Sequence, residues 1–314
     1  MPAQPPRPDD GRRRQHRSME QGRRGGGGRT SGGARRGRSD ADARGGGERT
    51  GPPGLDVPGA ASEPLGREQA GRSQGAPPHR AMRTEAPPRP PLPEDEEPQL
   101  PTSVQREIER VLGRGAKSRD VALALSLGSQ AIDEDRPDVA VEVLAWARHE
   151  APRIAVIREA LGVAYYLREE YGPALSELQA YRRLSGQHDQ NHLAADCLRA
   201  LGRDLDRISE VAQPLIDDES APDDRRAEAV IVRAAALGDA GELAAGRAVV
   251  RRFLERPRDG DEEHDLRLRY LAADLADRAG DLREAEQQLA SIVAVDPGFL
   301  DVEQRLDGLR QRLP

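Results

Sequence analysis

One cysteine, one lysine and a 3% share of aromatic residues set this chain of 314 residues apart by scarcity. With Cys197 alone, an intramolecular disulfide framework and the usual multi-cysteine zinc sites are excluded. No uninterrupted apolar stretch approaches the roughly 20 residues that span a bilayer, so neither a membrane span nor a membrane partner is expected. No apolar core of a secretory signal is present near the start, and the early acids Asp9, Asp10 and Glu20 speak against a transit peptide. A cytoplasmic location is the expectation. Lys117 is the only lysine, so nearly every basic position is arginine; with the heavy alanine, glycine and proline usage this suits a GC-rich bacterial coding sequence.

What is present is unevenly divided. Residues 1–100 hold 18 of the 32 glycines and 16 of the 25 prolines, a share above that of folded domains. The first fifty residues carry 13 arginines against 6 acids, a net +7, whereas residues 101–314 carry a net −11. Residues 1–101 therefore read as a disordered Arg/Gly/Pro-rich arm closed by the acidic linker Glu94-Asp95-Glu96-Glu97, and residues 102–314 as a helical domain. Arginines set among glycines, here Arg12, Arg13, Arg14, Arg23, Arg24, Arg29, Arg35, Arg36 and Arg38, can neutralise phosphates in the manner of RGG-type segments. The arm lacks the aromatic residues that usually stack on bases beside them, and a spacing or solvating tail is the plainer reading.

From about residue 120 the sequence repeats. Leu127-Gly128 and Ala131 recur 34 residues later as Leu161-Gly162 and Tyr165, and Ala140 and Leu144 recur as Ala174 and Leu178. Pro152 closes the first unit, and Ala285, Leu289 and Pro297 mark a late one, offset by 145 residues from Ala140, Leu144 and Pro152. A 34-residue period with a Leu-Gly pair, a following small residue and a closing proline resembles the tetratricopeptide repeat (TPR) family. That resemblance implies an all-α, TPR-like α-solenoid of about five helical hairpins, a scaffold that binds other proteins. Units are expected at 121–154, 155–188, 189–222, 227–260 and 266–299, with breaks at Pro137, Gly202, Gly241 and Gly280. The third is the weakest, with Ala194-Ala195-Asp196 where the motif falls. The stripe Val104, Ile108, Val111 and Leu112 predicts one capping helix, and Leu300, Leu306, Leu309 and Leu313 predict another.

In such an array the first helix of each unit lines the concave groove. By the repeat phase this places Leu125, Ser129 and Ile132, then Val156, Glu159, Val163 and Tyr166, then Leu193 and Cys197, then Ile231 and Ala235, then Tyr270, Asp274 and Asp277 on that face. The paired lysines and asparagines with which some TPR proteins grip a C-terminal carboxylate have no match in Leu125, Ser129, Glu159 and Val163. A small, apolar and aromatic lining with acids at one end suits a basic or amphipathic peptide. Folding of the basic arm over that groove is a further expectation.

Catalytic and cofactor readings fare worse. His188, His192 and Asp196 fall at metal-ligand spacing, but Ser185-Gly186 puts His188 at or outside the helix start and no second cluster joins them. Cys197 lacks a nearby base and reads as a structural thiol. Gly113 to Ser118 departs from a phosphate loop at Ala116 and follows no strand. Acid pairs such as Glu169-Glu170 and Glu262-Glu263 read as solvated faces, and none of these pairs is expected in an apolar setting that would raise a pKa. Neither an enzyme, nor a metal, nor a cofactor is expected. The alternative function is an RNA- or DNA-associated factor whose arm contacts phosphates.

Overall fold

The computed structural model describes residues 86–256 and 261–313, which contain twelve helices and no strand. The arginines singled out in the arm lie outside the described residues. A single helix α1 (Thr102–Leu112) precedes five hairpins: α2 (Ala116–Asp133) with α3 (Pro137–Glu150), α4 (Ala155–Leu167) with α5 (Tyr171–Ser185), and α6 (Asn191–Ala200) with α7 (Leu205–Asp217) come first. Then follow α8 (Asp223–Asp239) with α9 (Leu243–Leu254) and α10 (Glu263–Arg278) with α11 (Leu282–Val293), and α12 (Val302–Arg312) closes the array. Consecutive helices pack on one another throughout, which is the all-α solenoid that the repeat predicts.

The hairpins share one turn. Asp135, Glu169, Gly202, Gly241 and Gly280 each adopt a left-handed backbone, with φ of 56°, 61°, 62°, 80° and 78°. The residue after each donates its N–H back across the helix end: Arg136 to the Ala131 carbonyl at 2.7 Å, Glu170 to Tyr165 at 3.0 Å and Arg203 to Leu198 at 3.0 Å. Glu242 bonds to Leu237 at 2.8 Å and Asp281 to Ala276 at 2.9 Å in the same way. This six-residue closure caps orphan carbonyls that a helix would otherwise leave unpaired.

The turn fixes a common phase for all five units. Three residues before each capped carbonyl stand Gly128, Gly162, Ala195, Ala234 and Ala273, all buried and all small. Small residues here let the second helix approach closely. A Cβ on Gly128 would lie 2.4 Å from Leu144 Cγ, and one on Gly162 would lie 2.9 Å from Leu178. The third hairpin, weak by motif, keeps the same rule through Ala195 and joins the array as a regular member.

Across units, first helices touch first helices: α2 meets α4, α4 meets α6, α6 meets α8 and α8 meets α10. Second helices of successive units do not approach as closely and meet through long side chains, in the pairs Arg148–Glu177 and Arg247–Glu284. The units are thus closer together on the first-helix side, which makes that side the inner one.

Residues 86–101 are extended and anchored. Proline at six of the first thirteen positions leaves little backbone freedom to lose on docking. Arg89 pairs with Asp120 at 2.7 Å, and Arg119 donates to the carbonyls of Glu94 at 2.5 Å and Glu96 at 2.8 Å. The Gln99 amide donates to Ser126 Oγ at 2.9 Å, while Pro90 is buried and Leu92 and Leu100 pack on the core. The acidic linker therefore runs as a strap across α2, held by its carbonyls rather than by its carboxylates.

Candidate binding face

The first helices α2, α4, α6, α8 and α10 build the inner face, and two polar seams cross it. Along the C-terminal ends, Tyr166 Oη donates to Asp196 at 2.6 Å, and Arg199 donates to Asp196 at 2.9 Å and to Asp239 at 3.1 Å. Arg278 extends this line by donating to the Gly238 carbonyl at 2.6 Å. Along the N-terminal ends, Gln190 Nε2 donates to Glu159 at 3.0 Å, Arg225 pairs with Asp189 at 3.5 Å and Arg267 pairs with Glu228. Apart from Arg199–Asp196, which lies within α6, each contact joins one unit to the next, so the seams tie neighbouring units together.

Both ends of the face are covered. The strap crosses α2 beside Leu125 at Ser126. At the other end α12 covers Tyr270: the Tyr270 hydroxyl donates to Asp301 at 2.5 Å, the Arg305 guanidinium lies 4.8 Å over its ring, and Phe299 meets its edge at 6.4 Å. Arg305 also reaches Asp274 at 3.2 Å, and Arg312 reaches Asp277 at 3.1 Å. The acids expected to attract a basic ligand are thus already neutralised by arginines of the closing helix.

Of the groove positions read from the repeat phase, Leu125, Glu159, Val163, Leu193, Cys197, Ile231 and Tyr270 are buried, as is Ile132. Ser129, Val156, Tyr166, Asp274, Ala235 and Asp277 remain partly accessible. The phase alone assigns these positions to the inner side. It does not show that neighbouring first helices close over the positions nearest to them. Tyr166 meets Tyr171 edge-on at 6.0 Å, and its hydroxyl is committed to Asp196.

Burial decides the titration of the face. Loss of water pushes the Tyr166 hydroxyl well above its ordinary value, with the Asp196 carboxylate adding to the effect. Burial, and then Arg225, push His192 down to about 3, so it is a neutral imidazole. Burial pushes the Cys197 thiol up to about 12. Glu228, which belongs to no acid pair, is buried, and desolvation raises its pKa against the pull of Arg267. His188 lies in the turn before α6, His192 is buried and Asp196 is taken by Tyr166 and Arg199, so the three do not converge. Among the described residues no group of three His, Cys, Asp or Glu is placed to hold a metal ion, and no helix is long and apolar enough to cross a membrane.

No protein-family model matches the chain, and no curated protein is significantly similar to it. The geometry therefore carries the functional reading alone. The features that sequence reasoning missed are the strap and the interunit arginines. The pairing of Glu228 with Arg267, and of Arg199 with Asp239, at separations of 39 and 40 residues is the signal that could have revealed the seams.

Proposed function

We propose that this protein is a non-enzymatic, TPR-like scaffold that holds a peptide or helix of a partner protein against the inner face of its array, in the cytoplasm. The supporting observation is the fivefold recurrence of one hairpin, with the same turn closure and the same buried small residue, stacked so that first helices share one side. Such an array exposes a long ordered surface with little cost of rearrangement on binding. Ser129, Val156 and Ala235 offer small apolar and polar contacts on it. The paired acids at its end favour an amphipathic ligand over a purely basic one.

The test is affinity capture with the full-length protein and with a Val156→Arg variant matched for helical circular dichroism. A partner captured by the first and lost by the second supports the reading. A partner retained by the variant places the binding elsewhere.

The arginines of the first fifty residues favour a second reading, an RNA- or DNA-associated factor with Arg12, Arg13, Arg14, Arg23, Arg24, Arg29, Arg35, Arg36 and Arg38 on phosphates. Salt-sensitive binding of single-stranded RNA that disappears when these nine are replaced would favour it.

A further inference from the structure

We propose that a second binding site, separate from the inner face, lies between the strap and the first hairpin and takes a short basic segment of another protein carrying an apolar side chain beside arginine or lysine. The cleft has a volume of about 330 Å³. Its walls are Pro90 and Pro91 of the strap, Leu127 and Ala131 of α2, and Val139 and Val143 of α3.

The cleft exists because the array ends here. Inside the array each hairpin is covered by the one before it. At this edge a lone helix and an extended strap take that place, and they leave the end of α2 and the start of α3 open. Leu127 shows the difference: it is half-buried, whereas Leu161, its counterpart one repeat on, is fully buried. Val139, at 36% exposed, is one of five large apolar side chains left exposed among the described residues. Apolar surface left at a concave edge, in a volume near the lower limit of ligand sites, fits one or two side chains rather than a helix.

The rim selects the charge of the occupant. Among the residues that line the cleft, Glu96, Glu134 and Glu142 stand against one guanidinium, Arg136, which Glu134 binds at 2.8 Å, while Arg119 outside the lining holds the Glu96 carbonyl. Glu142 is exposed on the first turns of α3, one turn from Val139 and beside Val143, so a cation held at Glu142 brings its neighbouring side chain over the apolar floor. An acidic segment meets repulsion on the same rim.

The test uses the full-length protein and a fluorescein-labelled arginine-leucine-leucine-arginine peptide at low ionic strength, with the aspartate-for-arginine peptide as counterpart. Anisotropy should show binding of the basic probe alone, weakening as salt is raised. Glu142→Arg turns one exposed attraction into a repulsion, so affinity should fall roughly tenfold. Val139→Asp should lower it as well, and Ser129→Arg on the inner face should leave it unchanged. Glu142 and Val139 are surface positions, so both variants should keep the wild-type helical spectrum. The proposal is overturned by equal binding to wild type, Glu142→Arg and Val139→Asp, by loss of binding in Ser129→Arg, or by no binding at all, the case of a cleft filled by the chain's own arginine-rich arm included. Failure of the inner-face reading shows instead in the Val156→Arg capture, so the two are told apart.

Discussion

Adding one methyl group at Gly128 tests the packing rule of the array. Alanine is the better helix former by about 1 kcal/mol, so on propensity alone Gly128→Ala should stabilise α2. The structure says otherwise. The new Cβ would sit 2.4, 2.6 and 2.9 Å from Cγ and both terminal methyls of Leu144, a side chain that is fully buried and has nowhere to retreat. Overpacking of this kind costs about 1–3 kcal/mol, and contact with three atoms at once puts it near the top of that range. The net effect is a loss of about 2 kcal/mol. Removing the obstacle reverses the sign. Leu144→Ala alone should cost about 2–5 kcal/mol through the cavity it leaves. In that background Gly128→Ala meets no clash, fills part of the cavity and recovers its propensity, so the double variant should be more stable than Leu144→Ala by about 1 kcal/mol. Urea unfolding followed by circular dichroism, with slopes compared across the four proteins, measures all four corners. If Gly128→Ala is neutral or stabilising in the otherwise wild-type chain, the close helix approach is not what holds the hairpin together.

Other perturbations follow from the same geometry. Leu161→Ala and Leu178→Ala, both in the buried layer of the second hairpin, should each cost about 2–5 kcal/mol, and losses under about half a kcal/mol at both would mean the assigned repeat phase is wrong. Gly241→Ala forces a side chain into a left-handed turn at φ 80° and should cost about 1 kcal/mol or more, whereas Glu169→Gly at φ 61° should be neutral or mildly stabilising; equal losses in the two melts would contradict the shared turn. The Cys197 thiol, buried and held protonated, should ignore a thiol-reactive dye until the protein unfolds, and fast labelling of the native state would refute its burial. His192 ordinarily titrates near 6.5 but near 3 when folded, so between those values the unfolded chain binds a proton that the folded chain refuses. Stability should therefore fall as pH drops below 6.5. His192→Gln should flatten that slope above about pH 5, where most carboxylates have not yet begun to titrate.

The array was legible in the sequence wherever the residues that make it are also the ones that repeat. Leu127-Gly128 and Leu161-Gly162 carry both the phase and the packing, and the glycine breaks at Gly202, Gly241 and Gly280 are the turns themselves. The third hairpin looked irregular because the packing rule asks only for a small residue, and Ala195 meets it without the Leu-Gly pair. Asp135 and Glu169 gave no turn signal because a side-chain-bearing residue takes the left-handed backbone only occasionally, whereas glycine takes it freely. The inner face was harder to read. Which side of a helix faces inward follows from periodicity, but whether Leu193 or Ile231 is still accessible there depends on how closely the next unit leans over it. Composition misled at the strap: proline and acid content suggest a free linker, yet Arg119 holds Glu94 and Glu96 through backbone carbonyls, which every sequence has.

The unequal spacing of the two helix layers sets how the molecule yields to force. Bound along one margin by Tyr166–Asp196, Arg199–Asp239 and Glu228–Arg267, and bridged more sparsely along the other by Arg148–Glu177 and Arg247–Glu284, it resembles a fan riveted at its base. Splaying the outer ribs would break fewer interunit contacts than stretching the riveted margin. The array should therefore bend more easily than it stretches along the riveted margin.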